Sequence, residues 1–174
     1  MRITWFGDKC FRIKFSAHDF VFFPDEAISN VSKNELVEMA SIINAEAYQQ
    51  FEPFVGAKPK APGRRLIDVM DEAETYMTDG QDFVMDALPD ERLVLRYLGN
   101  STLGAADAWL NEAVVLCVGS AKQSLAALEA LQGHGVRQVL LAISDMENLN
   151  MDTLAKTAGT LRLQMMEFGF AIEL

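Results

Sequence analysis

Residues 1–25, MRITWFGDKCFRIKFSAHDFVFFPD, decide the fold. Within KCFRIKF the apolar residues Phe11 and Ile13 alternate with basic residues, the period of two expected of a strand with one face on a core. The aromatic and β-branched run HDFVFFP follows a short polar break and suits a second strand paired with the first. The stretch therefore predicts an antiparallel unit, with RITWF as a further strand.

The next segment predicts a helix over residues 33–51. Ser32 and Glu35 have the spacing of a capping box. Apolar residues then recur at helical intervals, namely Leu36, Met39, Ala40, Ile43, Ala47 and Phe51. Three prolines among residues 52–65 predict a loop, and Asp79-Gly80 between two strand-like runs predicts a hairpin turn.

The second half alternates strands and helices. RLVLRYLG, AVVLCVG and VRQVLLAI predict strands, and Ser120 with Gln123 predicts a second capped helix. A third helix is predicted from Leu154 through Phe168, ended by Gly169, with FAIEL as a closing strand. The fold class is α/β, bordering on α+β, and the predicted architecture is a layered α/β/β/α sandwich, complete or trimmed, in a single domain over residues 1–174.

Composition narrows the function classes. The 15 basic and 25 acidic residues give a formal net charge of -10, which disfavours nucleic acid as a partner. Cys10 and Cys117 lie in apolar runs and are expected to be buried free thiols. No apolar stretch reaches the length of a bilayer span and no leader pattern opens the sequence, so we expect a cytoplasmic protein without a membrane segment.

The opening resembles a known family. It is similar to the start of the small metallo-β-lactamase-fold hydrolases, in the branch of the ascorbate 6-phosphate lactonase-like proteins, whose chains begin close to K-I-T-W-L-G-H-S-x-F-x-I and end the next strand in I-D-P. The matching residues are Ile3, Thr4, Trp5, Gly7, Phe11, Ile13 and Pro24-Asp25. The strands RLVLRYLG, AVVLCVG and VRQVLLAI match family strands more loosely. The resemblance implies a metallo-β-lactamase-like sandwich.

The departures from the family concern its metal ligands. The family binds two metal ions through H-x-H-x-D-H and further His and Asp residues. This chain has only His18 and His134, and the predicted helix of residues 33–51 stands where the motif would fall. Family positions that carry other residues here are Asp8 at the His of G-H-S, Asn100 at the Asp of Gly-Asp, and Ser144 near a late His. We therefore expect a degenerate active site with no metal and no cofactor.

Carboxylates at predicted strand ends offer an alternative site. Asp25 and Glu26 follow one strand, Asp145 and Glu147 follow another, and oxygen ligands suit Mg²⁺ or Mn²⁺. Acidic residues in such positions are more often solvated loop side chains than metal ligands.

Two other features suggest a small anionic ligand. VGSAKQS, with Ser120 and Lys122, places a helix N-terminus after a strand, although ordinary capping by Ser120 explains it better. The predicted loop carries four cations suited to a phosphate or an acidic partner, although a solvated loop is the more common case: Lys58, Lys60, Arg64 and Arg65.

The leading hypothesis is a non-catalytic pseudoenzyme that acts in binding or assembly, with a protein partner or as a homo-oligomer. Nine methionines and many aromatic residues could supply an apolar contact surface. The first alternative is a hydrolase of altered chemistry that uses strand-end carboxylates with Mg²⁺ or Mn²⁺. The second alternative is a small α/β domain that binds an anion.

Overall fold

The computed structural model describes residues 1–15, 18–28, 30–44, 73–77, 82–87, 91–99 and 110–174. The strands in these ranges are β1 (Arg2–Trp5), β2 (Phe11–Phe15), β3 (His18–Phe22), β4 (Ser41–Ile43), β5 (Ala73–Met77), β6 (Phe83–Ala87), β7 (Glu91–Tyr97), β8 (Val114–Gly119), β9 (Gln138–Ile143), β10 (Leu163–Met165) and β11 (Ala171–Glu173). The helices are α1 (Lys33–Val37), α2 (Ala121–Leu131) and α3 (Met151–Ala158). Short 3-10 turns occupy Pro24–Glu26 and Met146–Asn148.

The strands form two sheets. The small sheet has the order β11-β1-β2-β3-β4, and the large sheet has the order β10-β9-β8-β7-β6-β5. The predicted antiparallel unit is confirmed, because β2 pairs antiparallel with both β1 and β3. In the large sheet β7, β8, β9 and β10 are parallel, which explains why VVLCVG reads as a continuous apolar run.

The two sheets pack face to face over a shared apolar core. Phe22 of the small sheet meets Phe83 of the large sheet edge to face, with ring centroids 5.2 Å apart, and Phe83 meets Tyr97 in the same way at 6.5 Å. Edge-to-face pairs of this kind add to the area that the rings bury. Fully buried residues such as Ile3 and Leu95 complete the core.

Helices cover the outer faces of the sandwich. Apolar residues of α2 and α3, including Leu128 and Leu154, pack on the outer face of the large sheet. On the small sheet, Leu36 of α1 packs against Val21 and Cys10. The predicted α/β/β/α layering is confirmed, and in the described part of the chain α1 is a short outer layer of five residues.

The predicted helix over residues 33–51 is wrong beyond Val37. Met39 has a left-handed φ of 59°, and residues 41–43 form β4, which pairs parallel with β3. Nonlocal pairing along the open edge of β3 outweighs the local helical pattern. The Ser32 side chain makes no capping hydrogen bond, so the predicted capping box is absent as well. The rest of the predicted helix, residues 45–51, lies outside the described residues.

The third predicted helix is also too long. α3 ends at Ala158, and Gly159 follows with a φ of 56°. Residues 163–165 then form β10, parallel to β9, where the sequence pattern predicts that the helix continues to Phe168. The buried edge of β9 again selects a strand, because it offers backbone partners to any extended segment beside it.

Other predictions of secondary structure are confirmed. β5 and β6 form the predicted antiparallel hairpin, although the turn with Asp79-Gly80 lies outside the described residues. The predicted closing strand is β11, which pairs antiparallel with β1. The predicted loop of residues 52–65 also lies outside the described residues. No helix in the described part combines the length and the apolarity that crossing a bilayer requires.

Candidate functional site

A cleft of about 330 Å³ opens where strands of both sheets end. Trp5 ends β1, Tyr97 ends β7, Gly119 ends β8, and Ser144 directly follows β9. Ligands in α/β folds commonly bind beyond the carboxyl ends of parallel strands, so this is the natural place for a site. The described residues that line the cleft are Trp5, Asp8, Lys9, Glu26, Tyr97, Gly99, Val118, Gly119, Ser120, Gln123, Ala142 and Ser144.

A tight turn after β1 presents Asp8 to the cleft. Gly7 has a φ of 100° and Asp8 a φ of 38°, and left-handed backbone is uncommon for any residue except glycine. The Cys10 amide donates to the Gly7 carbonyl at 2.8 Å, and the Trp5 indole Nε1–H donates to the Asp8 carbonyl at 3.2 Å. The backbone conformation favours glycine at position 7, and a Cβ there would overlap the Ile28 side chain in its present position.

Lys9 and Glu26 form one side of the cleft. Lys9 Nζ lies 3.4 Å from Glu26 Oε1, and the same ammonium sits 5.7 Å above the Phe23 ring. Tyr97 donates its hydroxyl to the Lys9 carbonyl at 2.9 Å and packs edge to face on Phe23. The Lys9 charge is therefore already opposed by a carboxylate and by an aromatic face.

The predicted capping box at the start of α2 is confirmed. Ser120 Oγ accepts from the Gln123 amide at 3.3 Å, and Gln123 Oε1 accepts from the Ser120 amide at 2.9 Å. Asp145, which the sequence offered as a metal-binding carboxylate, accepts from the Ala121 amide at 2.6 Å. A carboxylate at a helix N-terminus is favoured by the helix dipole.

These hydrogen bonds change the interpretation of VGSAKQS as an anion-binding site. The chain's own carboxylate, Asp145, already occupies the position at which an external anion would meet the free amides of α2. Lys122 is exposed and is not among the described cleft residues, whereas Ser120 is. Capping is therefore the role that the structure gives Ser120.

Of the predicted strand-end carboxylates, Glu26 lines the cleft and the other three do not. Asp25 is highly exposed and pairs with Lys33 at 2.8 Å. Asp145 caps α2 and also accepts from the Asn148 amide group at 3.2 Å, and Glu147 is exposed in a 3-10 turn. In the part of the chain that the structure describes, no three His, Cys, Asp or Glu side chains form a group that could hold a metal ion.

Two of the three replaced family positions meet in the cleft. Asp8 and Ser144 both line it, and Asn100 lies outside the described residues, next to the cleft residue Gly99. The four predicted cations of the basic loop also lie outside the described residues: Lys58, Lys60, Arg64 and Arg65. Sequence reasoning missed Lys9, Tyr97 and Gln123 as cleft residues.

Neither cysteine is suited to act as a nucleophile. Burial, together with a smaller contribution from the nearby Glu26 carboxylate, raises the pKa of Cys10 to about 12. Burial also raises the pKa of Cys117 to about 12, with opposing smaller contributions from Arg96, which lowers it, and Asp82, which raises it. Because the thiolate is the reactive form, both thiols are expected to be inert in the folded protein.

Comparison with solved structures bears on the fold. Igni18, a metallo hydrolase from the hyperthermophilic archaeon Ignicoccus hospitalis, matches with a TM-score of 0.52 and 13% sequence identity over 99% of this chain and 98% of that one. The chain therefore shares the overall two-sheet α/β fold of that hydrolase. A protein of Thermotoga maritima assigned to the Zn-dependent hydrolases of the metallo-β-lactamase superfamily matches with a TM-score of 0.47 and 13% identity over 96% of this chain and 99% of that one. No protein-family model and no curated protein matches the chain.

The described cleft residues do not fit a zinc ion. Zinc in proteins is held by imidazole, thiolate and carboxylate groups. The described lining offers the two carboxylates of Asp8 and Glu26 together with hydroxyl, amide and ammonium groups, and it contains no imidazole or thiol. Residues 44–50, which follow β4 in the sequence, also contain no histidine.

Proposed function

We propose that this protein is a metal-independent, non-hydrolytic relative of the metallo-β-lactamase-fold hydrolases that uses its cleft to bind a ligand. The observation that carries the proposal is the chemistry of the described lining, in which Asp8, Ser144 and their neighbours supply hydrogen-bonding groups without imidazole ligands. A hydrolase of this fold depends on its metal to activate water. The remaining groups are suited to recognition rather than to water activation.

The construction of the cleft supports binding. Asp8 is held in left-handed backbone, which is uncommon for a residue other than glycine and occurs more often at binding sites. Tyr97 reaches across to the Lys9 carbonyl and ties the end of the large sheet to the small sheet. Groups fixed in this way lose little conformational entropy when a ligand binds.

Metal analysis tests the non-hydrolytic half of the proposal. Protein produced in medium supplemented with zinc and manganese is purified and analysed for metals, and its thermal unfolding is followed with and without a chelator. We expect a substoichiometric metal content and an unchanged Tm, because a metal that binds only the folded state stabilises it by mass action. Stoichiometric metal, together with a Tm that falls on chelation, would contradict the proposal.

NMR spectroscopy tests the binding half. Trp5 lies in the cleft, and its indole N–H is bonded to the Asp8 turn, so its signal reports on occupancy. The chain has two tryptophans, and Trp109→Phe leaves the Trp5 indole as a single signal. We expect members of a small-fragment library to move this signal saturably. If every fragment leaves it in place, the cleft is not a binding site.

We also propose self-association, on a separate observation. Met39 is 96% exposed and Ile42, in the edge strand β4, is 50% exposed. Exposed apolar side chains beside a sheet edge favour contact with a second copy. Light scattering on the wild-type protein and on Met39→Glu/Ile42→Thr tests this, and a wild-type monomer at high concentration would contradict it.

A further inference from the structure

We infer that the cleft selects a small organic cation, a primary amine on a short apolar or aromatic body, with Asp8 as its charge partner. The inference rests on the proposed binding function and names the class of ligand. It follows from the balance of charged groups around the cleft, in which one carboxylate is left without a counter-charge.

Asp8 is the carboxylate that is left over. It lines the cleft and is exposed there, and within the described residues its side chain has no hydrogen bond or ion pair. Its backbone carbonyl accepts from the Trp5 indole and its φ is 38°, so the main chain that carries the carboxylate is fixed. A carboxylate without a partner, carried on a fixed main chain, is an available acceptor for a charged donor.

The positive groups near the cleft are already in use. The Lys9 ammonium is paired with Glu26 and lies over the Phe23 ring, so its charge is largely opposed. At the start of α2, the Ala121 amide donates to Asp145 and the Gln123 amide donates to Ser120 Oγ. An anion entering the cleft would therefore meet the Asp8 carboxylate and, beyond the paired Lys9, only uncharged donors such as the Gln123 side-chain amide, whereas a cation would meet a free charged acceptor.

The other residues that line the cleft indicate which groups the rest of the ligand should carry. Trp5, Val118 and Ala142 give part of the cleft an apolar wall, which suits a hydrocarbon or aromatic group. Ser144 and Gln123 add hydrogen-bonding groups for a polar substituent. The net charge of -10 also raises the local concentration of cations around the whole molecule.

Three compounds that share one ring test the inference: benzylamine, benzyl alcohol and benzoate. Each is titrated into the Trp109→Phe protein while the Trp5 indole signal is followed. We expect benzylamine to bind more tightly than benzyl alcohol, benzoate to bind least, and benzylamine binding to weaken as salt is added. Asp8→Asn should lower the affinity for benzylamine by about tenfold, since it removes a charge-assisted hydrogen bond, and should leave benzyl alcohol unchanged.

Glu129→Gln is the matched control, because it removes the same charge from an exposed position on α2 that does not line the cleft. It should change the affinity for benzylamine by less than about twofold. Equal or tighter binding of benzoate, or benzylamine binding that is indifferent to Asp8→Asn, overturns the inference and leaves a binding cleft intact. If none of the three compounds moves the Trp5 signal while other fragments do, the ligand class is wrong; if nothing moves it, the proposed binding function falls as well.

Discussion

The outer face of the large sheet and the cleft each contain an aspartate, and the two aspartates have opposite environments. On the outer face, Asp82 is 1% exposed, and its Oδ2 accepts from Arg96 Nε at 2.7 Å. At the cleft, Asp8 is exposed and has no side-chain partner among the described residues. A buried charge must be neutralised by the protein itself, whereas a charge in a cleft can be left for a ligand.

The outer face shows how costly a buried charge is to accommodate. Arg96 is 2% exposed and lies beside Val94 and Cys117 on the apolar side that faces the helices. Its Nη1 is buried and has no hydrogen-bond partner within the described part of the chain. The Asp82 carboxylate is therefore the main compensation for a guanidinium in an apolar layer, and stability should depend strongly on it.

The largest predicted effect is on folding, from Asp82→Asn. Removing this charge leaves Arg96 buried and uncompensated, so the free energy of unfolding should fall by about 3–5 kcal/mol. Urea denaturation followed by circular dichroism measures the change.

Asp86→Asn serves as the control for the outer face. Asp86 pairs with Arg92 at 2.8 Å, and both side chains are partly exposed. Its loss should cost at most about 1 kcal/mol, because solvent screens the pair. If Asp82→Asn costs no more than Asp86→Asn, another group balances Arg96 and the contrast with the cleft is wrong.

A smaller effect is expected in the turn that carries Asp8. Gly7→Ala places a Cβ at a φ of 100° and against Ile28, whereas Gly133→Ala places one at a φ of 81° in open space. Gly133→Ala should cost about 1 kcal/mol for the backbone alone, and Gly7→Ala should cost about 1–3 kcal/mol. Ile28 is partly exposed and can rotate away, which keeps the difference small.

The double variant Gly7→Ala/Ile28→Ala separates the two causes in the turn. Measured against Ile28→Ala, the double variant should lose about as much stability as Gly133→Ala loses against the wild type. Urea denaturation of the wild type, Ile28→Ala, the two glycine variants and the double variant measures these effects. If Gly7→Ala costs as much in the Ile28→Ala protein as it does in the wild type, crowding is not part of the cost. The backbone conformation then accounts for all of it.

The predictable parts of the fold are those decided by neighbouring residues. The capping box of Ser120 and Gln123 spans four positions, and its bonds are the ones that the sequence predicts. Residues 41–43 show the opposite case, because their helical spacing is overridden by pairing with β3. A single sequence does not reveal that an open strand edge lies beside them.

The candidate site was predictable only in part for the same reason. Asp8 and Ser144 were found because a resemblance to a family marked their positions. Tyr97 and Lys9 are 88 positions apart in sequence and meet only because the two sheets end together. Glu26 adjoins Asp25, and nothing in the sequence shows that Glu26 faces the cleft while Asp25 pairs with Lys33 on the surface.

The smallest predicted effect is that of Asp8→Asn on stability. The same chemical change that is severe at Asp82 should alter the free energy of unfolding by less than about 0.5 kcal/mol here, because no described partner loses a bond. Asparagine also tolerates the left-handed backbone at this position, whereas Asp8→Ala should cost about 1 kcal/mol through its φ alone. Urea denaturation of both variants beside Asp82→Asn completes the comparison. A loss above about 1 kcal/mol in Asp8→Asn would mean that the carboxylate supports the fold, and its charge would then not be free for a ligand.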